Sequence, residues 1–217
     1  IQQNKNKDIT RIQNKSLELS LFLSLPAMFG LIIISEEIVS CLFGYGSFDQ
    51  VSVRNSANAL LYFSLGLPAY SLIKIFSTFI FARDNTRIPF YFSSISVLLN
   101  VVISVYFFRD VGFLIIPIAT SISSWVNSIL LYVYLHKINY FKFSFNLIFQ
   151  FVKILFCTIL MSFCLYFLVS IFSEQLNYSN NYKVIYLFLL IFLSMLVYFI
   201  ISLITKAFKL SDIKIKY

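Results

Sequence analysis

The side chains of this sequence that could do chemistry are few and unevenly distributed. His136 is the single histidine, so no Ser–His–Asp set and no HExxH pair can be assembled, and paired DxxD carboxylates are also missing. Cys41, Cys157 and Cys164 show no CxxC spacing and lie within apolar stretches, where they read as small apolar fillers. Catalysis is therefore not expected, nor is a resident metal or cofactor. Three polar groupings remain. Lys74 is embedded in an apolar segment, roughly seven residues from its end. An ammonium there either faces an internal cavity, where it can meet an anionic substrate, or snorkels to the headgroups along its own stem. Arg83 and Arg87 lie in Ala82-Arg83-Asp84-Asn85-Thr86-Arg87-Ile88-Pro89. They either set topology or form an electrostatic receptor for phosphates at the mouth of a path. Asn100 and Asn127, with the hydroxyls of Thr120, Ser121, Ser123 and Ser124, either line that path or bond helix to helix.

The elements that must position these groups are set by composition. The 217 residues are 59% hydrophobic and 19% aromatic, with mean hydropathy +0.86. Only 12% are charged, about half the share of roughly 25% usual in a soluble domain. A soluble enzyme, a disordered tail and a disulfide scaffold are excluded. Six apolar segments are predicted as transmembrane helices, at about residues 17–43, 57–81, 90–108, 111–135, 147–172 and 184–204. The fold class is an all-α polytopic membrane bundle. Between the helices, Gly44-Tyr45-Gly46-Ser47-Phe48-Asp49 and Arg109-Asp110-Val111-Gly112 read as turns. Residues 173–183, rich in Asn and Tyr, read as a solvated loop.

The net charge of +8 follows the same plan. Thirteen Lys and Arg fall on one side of the six segments: Lys5, Lys7, Arg11, Lys15, Arg83, Arg87, Lys137, Lys142, Lys153 and the basic tail Lys206, Lys209, Lys214 and Lys216. Three, Arg54, Arg109 and Lys183, fall on the other. The positive-inside rule then places both ends of this segment in the cytoplasm. These cations are expected to meet membrane lipid headgroups, and nucleic acid is not an expected partner.

Several motifs also resemble one family. Gly66-Leu67-Pro68-Ala69-Tyr70, Lys74, Phe81-Ala82-Arg83, Thr86-Arg87 and Pro89 are similar to the MurJ (MviN) family of lipid II flippases. So are Leu25-Pro26, Ile38-Val39, the turn running from Leu42 to Asp49, Val97-Leu98-Leu99-Asn100, Ala119-Thr120-Ser121 and Trp125-Val126-Asn127. The match covers roughly residues 10–137, and the last two helices agree only in hydropathy and position. The sequence departs from the pattern at Glu37, where the family often has Pro, and at Asn85, where it commonly has Asp.

The resemblance implies a fourteen-helix transporter with two six-helix lobes and two extra helices, of which this chain is the C-terminal portion. Residues 1–137 would be four second-lobe helices with a cytoplasmic lead-in, and 138–217 the two additional helices and basic tail. It implies translocation of undecaprenyl-linked peptidoglycan precursor between leaflets of the bacterial inner membrane, by alternating access. The partners would be that precursor, membrane lipids and the absent first lobe, which holds most of the family's cavity arginines. Lys74, Arg83, Arg87, Asn100 and Asn127 are the candidate substrate path. A related polysaccharide-unit flippase and a non-transporting scaffold of cell-wall synthesis are the alternatives.

Overall fold

A computed structural model describes residues 2–141, 144–178, 180 and 182–208, with side chains from residue 9 onward. Lys142, Lys209, Lys214 and Lys216 lie outside the described residues, as do the side chains of Lys5 and Lys7. Seven α-helices are described: α1 (Gln2–Phe43), α2 (Gln50–Ser64), α3 (Leu67–Phe81), α4 (Arg87–Val111), α5 (Ile115–Lys137), α6 (Phe145–Ile171) and α7 (Lys183–Ile204). Five continuous helical stretches are long and apolar enough to cross a membrane. One of them, Arg87–Lys137, has 51 residues. As one straight helix it would be about 76 Å long, more than twice the hydrocarbon thickness. It is instead broken at Gly112 (φ +72°), where a short 3-10 turn, Gly112–Leu114, joins α4 to α5. Arg109 and Asp110 are thus in the last turn of α4, and the connection starts at Gly112, the last residue of the expected turn.

The chain forms two compact units. The first holds residues 1–24 and 62–148. Its core is built from Leu17 of α1, Phe76 and Ile80 of α3, Leu131 and Leu135 of α5, and Phe141 and Leu147 beyond it. Helix α1 begins well before the expected first span. The buried series Gln13, Leu17, Leu21 gives the helix a partner face from Gln13 onward, and the Lys15–Glu18 ion pair (3.6 Å) bridges one turn of it. Helices α4 and α5 are antiparallel. Ser96 Oγ donates to the Ser123 carbonyl (2.6 Å), and Asn100 Nδ2 donates to Thr120 Oγ1 (2.9 Å). Lipid gives helices no hydrophobic reason to associate, so such polar bonds and close packing hold them together.

Between α2 and α3 the helical ladder is interrupted. Gly66 N turns back to Phe63 O (3.0 Å), and Pro68 in the first turn of α3 has no amide to offer. The Tyr62 carbonyl receives the Ser121 hydroxyl, and Trp125 Nε1 donates to the Leu65 carbonyl (3.0 Å). Ser121 and Trp125 are one turn apart on α5, so one face of that helix satisfies the break.

The second unit holds residues 25–61 and 149–217. Ile34 and Cys41 of α1 pack with Leu165, Leu176, Leu187 and Leu190, and Val39 packs with Val53 and Ala57 of α2. Helix α1 is kinked at Ile34 (φ −112°, ψ 24°). Asp49 opens α2, its carboxylate accepting the Ser52 amide at 2.8 Å. Hydrogen bonds from the Ser52 hydroxyl and amide hold the Asp49 carboxyl below its ordinary range. Lys183, expected in a solvated loop, is instead fully buried as the first residue of α7.

Two outcomes are expected from detergent-solubilised protein. Ser121→Ala orphans the Tyr62 carbonyl and costs about 1–3 kcal/mol, read from a denaturant melt. Asp49→Ala lowers the thermal midpoint, whereas Asp49→Asn keeps it. Because folding depresses this pKa, the contribution is present above the ordinary carboxylate range and fades as pH falls through the lowered value.

Candidate functional site

The candidate site is at the end of the first unit where α3 stops, α4 starts and α5 terminates. The α3–α4 turn is tight: Arg83 N donates to Ile80 O (3.0 Å) and Asp84 N to Phe81 O (2.9 Å). Asp84 adopts φ +57°, a left-handed conformation that a short acidic side chain tolerates. Asn85 then does two jobs. Its Oδ1 accepts the Ile88 amide at the head of α4, and its Nδ2 donates to Tyr134 Oη, both at 3.3 Å. The capping role needs only an oxygen, so the amide suffices where a carboxylate would also cap.

Helix α5 ends in a Schellman turn. Asn139 takes φ +55°, Tyr140 N donates to Leu135 O (2.9 Å), and Asn139 N donates to His136 O (3.0 Å). This turn delivers Tyr140 to the α3–α4 loop, where its ring lies 3.3 Å beneath the Arg83 guanidinium. The result is a cleft of about 310 Å³ with Arg83, Asn85, Tyr134 and Tyr140 on its polar rim and Phe79 and Ile138 among its apolar walls. Arg83 remains exposed, and none of the described carboxylates is paired with it. Stacking fixes the plane of the guanidinium while leaving its N–H fork to an incoming anion.

The other candidates are placed differently. Lys74 is on the face of α3 opposite the buried Phe76 and Ile80, exposed beside Thr78, whose hydroxyl bonds back to the Lys74 carbonyl (2.8 Å). Arg87 is exposed at the first residue of α4 and joins none of the cleft contacts. A helix N-terminus does not favour a cation, so Arg87 gains nothing from its own helix. Asn100 and Asn127 are apart from the cleft, between α4 and α5, where Asn127 Nδ2 reaches Ser93 Oγ at 3.5 Å. Sequence reasoning missed Tyr134 and Tyr140. The signal for Tyr140 was present in Asn139, a residue that commonly ends a helix in the left-handed conformation.

The family model described as lipid II flippase MurJ matches residues 1–188. A probable lipid II flippase MurJ from Rhizobium meliloti (strain 1021) is 40% identical over 125 residues, covering 58% of this chain and 23% of the relative. One from Rickettsia prowazekii (strain Madrid E) is 33% identical over 180 residues, covering 79% and 36%. A solved structure of the lipid II flippase MurJ in an inward closed conformation aligns with TM-score 0.74 and 27% identity, over 93% of this chain and 40% of that one. The chain therefore spans about a quarter to a third of the length of these two curated relatives.

A double-mutant cycle tests the stacked pair. Tyr140→Leu and Arg83→Lys should each lower the thermal midpoint, with a coupling of about 0.5–1 kcal/mol because an ammonium cannot replace the planar guanidinium. Strict additivity contradicts the pairing.

Proposed function

This chain belongs to the MurJ lipid II flippase family, and from that membership we propose that it forms part of a flippase moving a lipid-linked peptidoglycan precursor across the bacterial cytoplasmic membrane. Both ends of the segment face the cytoplasm in this reading, as the distribution of Lys and Arg supports. Residues 1–137 supply second-lobe helices and 138–217 two additional ones, working with the first lobe of the complete transporter.

The observation that carries the reading is the polar face of α3. Lys74 and Thr78 are exposed on that helix, whereas the exposed face of α4 is apolar through Val97, Leu98, Val101, Val102 and Val105. A lysine held toward lipid is costly, so the α3 face suits water and the α4 face suits acyl chains. A diphosphate with a sugar–peptide head cannot cross hydrocarbon unaided. A cationic path lowers that barrier by replacing water with fixed charge. Arg83, presented by Tyr140 at the cytoplasmic end, takes the diphosphate first, and Lys74, further along α3, takes it inward. Arg87 adds positive potential at the entrance. Asn100 and Asn127 serve the path indirectly, by holding α4 to α5. Rocking between two exposures then releases the head on the other side.

The test uses the full-length transporter carrying these residues, in proteoliposomes loaded with lipid-linked precursor. Lys74→Ala and Arg83→Ala should each slow translocation at least fivefold at unchanged protein level, and Arg87→Ala about twofold. Full activity in both of the first two variants removes these cations from the path.

A further inference from the structure

Lys183 is 1% exposed, although it opens a helix that follows a polar loop. Its ammonium is on the unfavourable end of its own helix, since the N-terminus of α7 carries partial positive charge. What holds it is the neighbouring chain. Lys183 Nζ donates to the Gly44 carbonyl (3.1 Å) and to the Tyr178 carbonyl (3.0 Å). The Tyr45 and Tyr178 rings lie 4.4 and 4.8 Å away. Gly44 directly follows the last residue of α1, so the cation caps the negative end of that helix. Tyr178 adds a second tie, its hydroxyl donating to the Phe48 carbonyl at 2.7 Å. The fit is close: a Cβ on Gly44 would come within 2.5 Å of Ser40 O and 2.9 Å of the Tyr178 ring.

We propose that Lys183 is a positioning residue, a latch that binds the end of α1, the 44–49 turn and the start of α7 into one rigid cap, so that α7 moves with α1 and α2 during transport. The cation is fully satisfied without solvent, through two carbonyls and two ring faces, and removing any partner leaves a buried charge uncompensated. The latch itself stands on the contacts alone. Its role in transport rests on the flippase reading above.

The experiment uses the full-length transporter in lipid vesicles and measures two things on each variant: hydrogen exchange of amides 44–48 and 178–183, and translocation of lipid-linked precursor. Lys183→Met should speed exchange in both segments at least tenfold and slow translocation at least fivefold. Lys183→Arg, which keeps a cation and its donors, should stay within threefold of the parent in both. Gly44→Ala, which wedges the Tyr178 ring while leaving Lys183 intact, should reproduce the Met phenotype. Unchanged exchange in both the Met and Ala variants overturns the latch. Faster exchange with unchanged translocation overturns the positioning role. Faster exchange in the Met and Ala variants, with a parent that itself translocates no precursor, upholds the latch and contradicts the flippase reading instead.

Discussion

A membrane helix that breaks must find donors for its freed carbonyls inside the protein, because the hydrocarbon supplies none. The interruption between α2 and α3 at Gly66 shows how this requirement shapes the first unit. Ser121 and Trp125 meet the Tyr62 and Leu65 carbonyls, and they fix the height of α5 against the break. With α5 at that height, its Schellman end at Asn139 falls opposite the α3–α4 turn, and Tyr140 arrives beneath Arg83. The cationic cleft thus depends on a helix break on the same helix pair. Hydroxyls elsewhere satisfy themselves within their own helix, as Thr158 does by bonding back to the Ile154 carbonyl and Thr205 to the Ile201 carbonyl.

Charge obeys the same constraint, and the cations of this chain divide by how they meet it. Lys183 is buried and has every donor direction occupied by carbonyls or rings, so it serves structure. Lys74 and Arg87 are exposed, with no described carboxylate as partner, and Arg83 is held from below by an aromatic ring that leaves its donors open. In a protein with so few charges, the partners of each cation distinguish buried Lys183 from exposed Lys74, Arg83 and Arg87 more cleanly than position along the chain does.

Much of the fold was legible in the sequence because a hydrocarbon solvent imposes length and apolarity on every crossing segment. The connection holding Arg83 and Pro89, between the segments at 57–81 and 90–108, could be read from residue type, since its charges and Pro interrupt an apolar run. The helical start of α1 at Gln2 was not legible, because polar residues such as Gln13 read as a lead-in until their partner face is known. The extension of α4 through Asp110 was missed for a related reason: a charged pair reads as a turn, whereas only Gly112 needs the left-handed conformation. Lys183 was the largest departure. Its burial is decided by Gly44 and Tyr178, the former 139 positions away, and no local pattern announces it. Within the cleft, the arginine was visible, but the two tyrosines that shape it come from the end of another helix.

Whether the open cations of α3 and the turn after it meet the diphosphate of a lipid-linked precursor decides the proposed path. The most direct measurement is photocrosslinking from a photoreactive amino acid placed at exposed position 86, in the α3–α4 turn with Arg83 retained, in the full-length transporter in membranes that contain radiolabelled precursor. A labelled adduct is expected that disappears when precursor synthesis is blocked and returns when synthetic precursor is supplied. Adducts formed only with bulk phospholipid, at the same yield with and without precursor, would contradict that path.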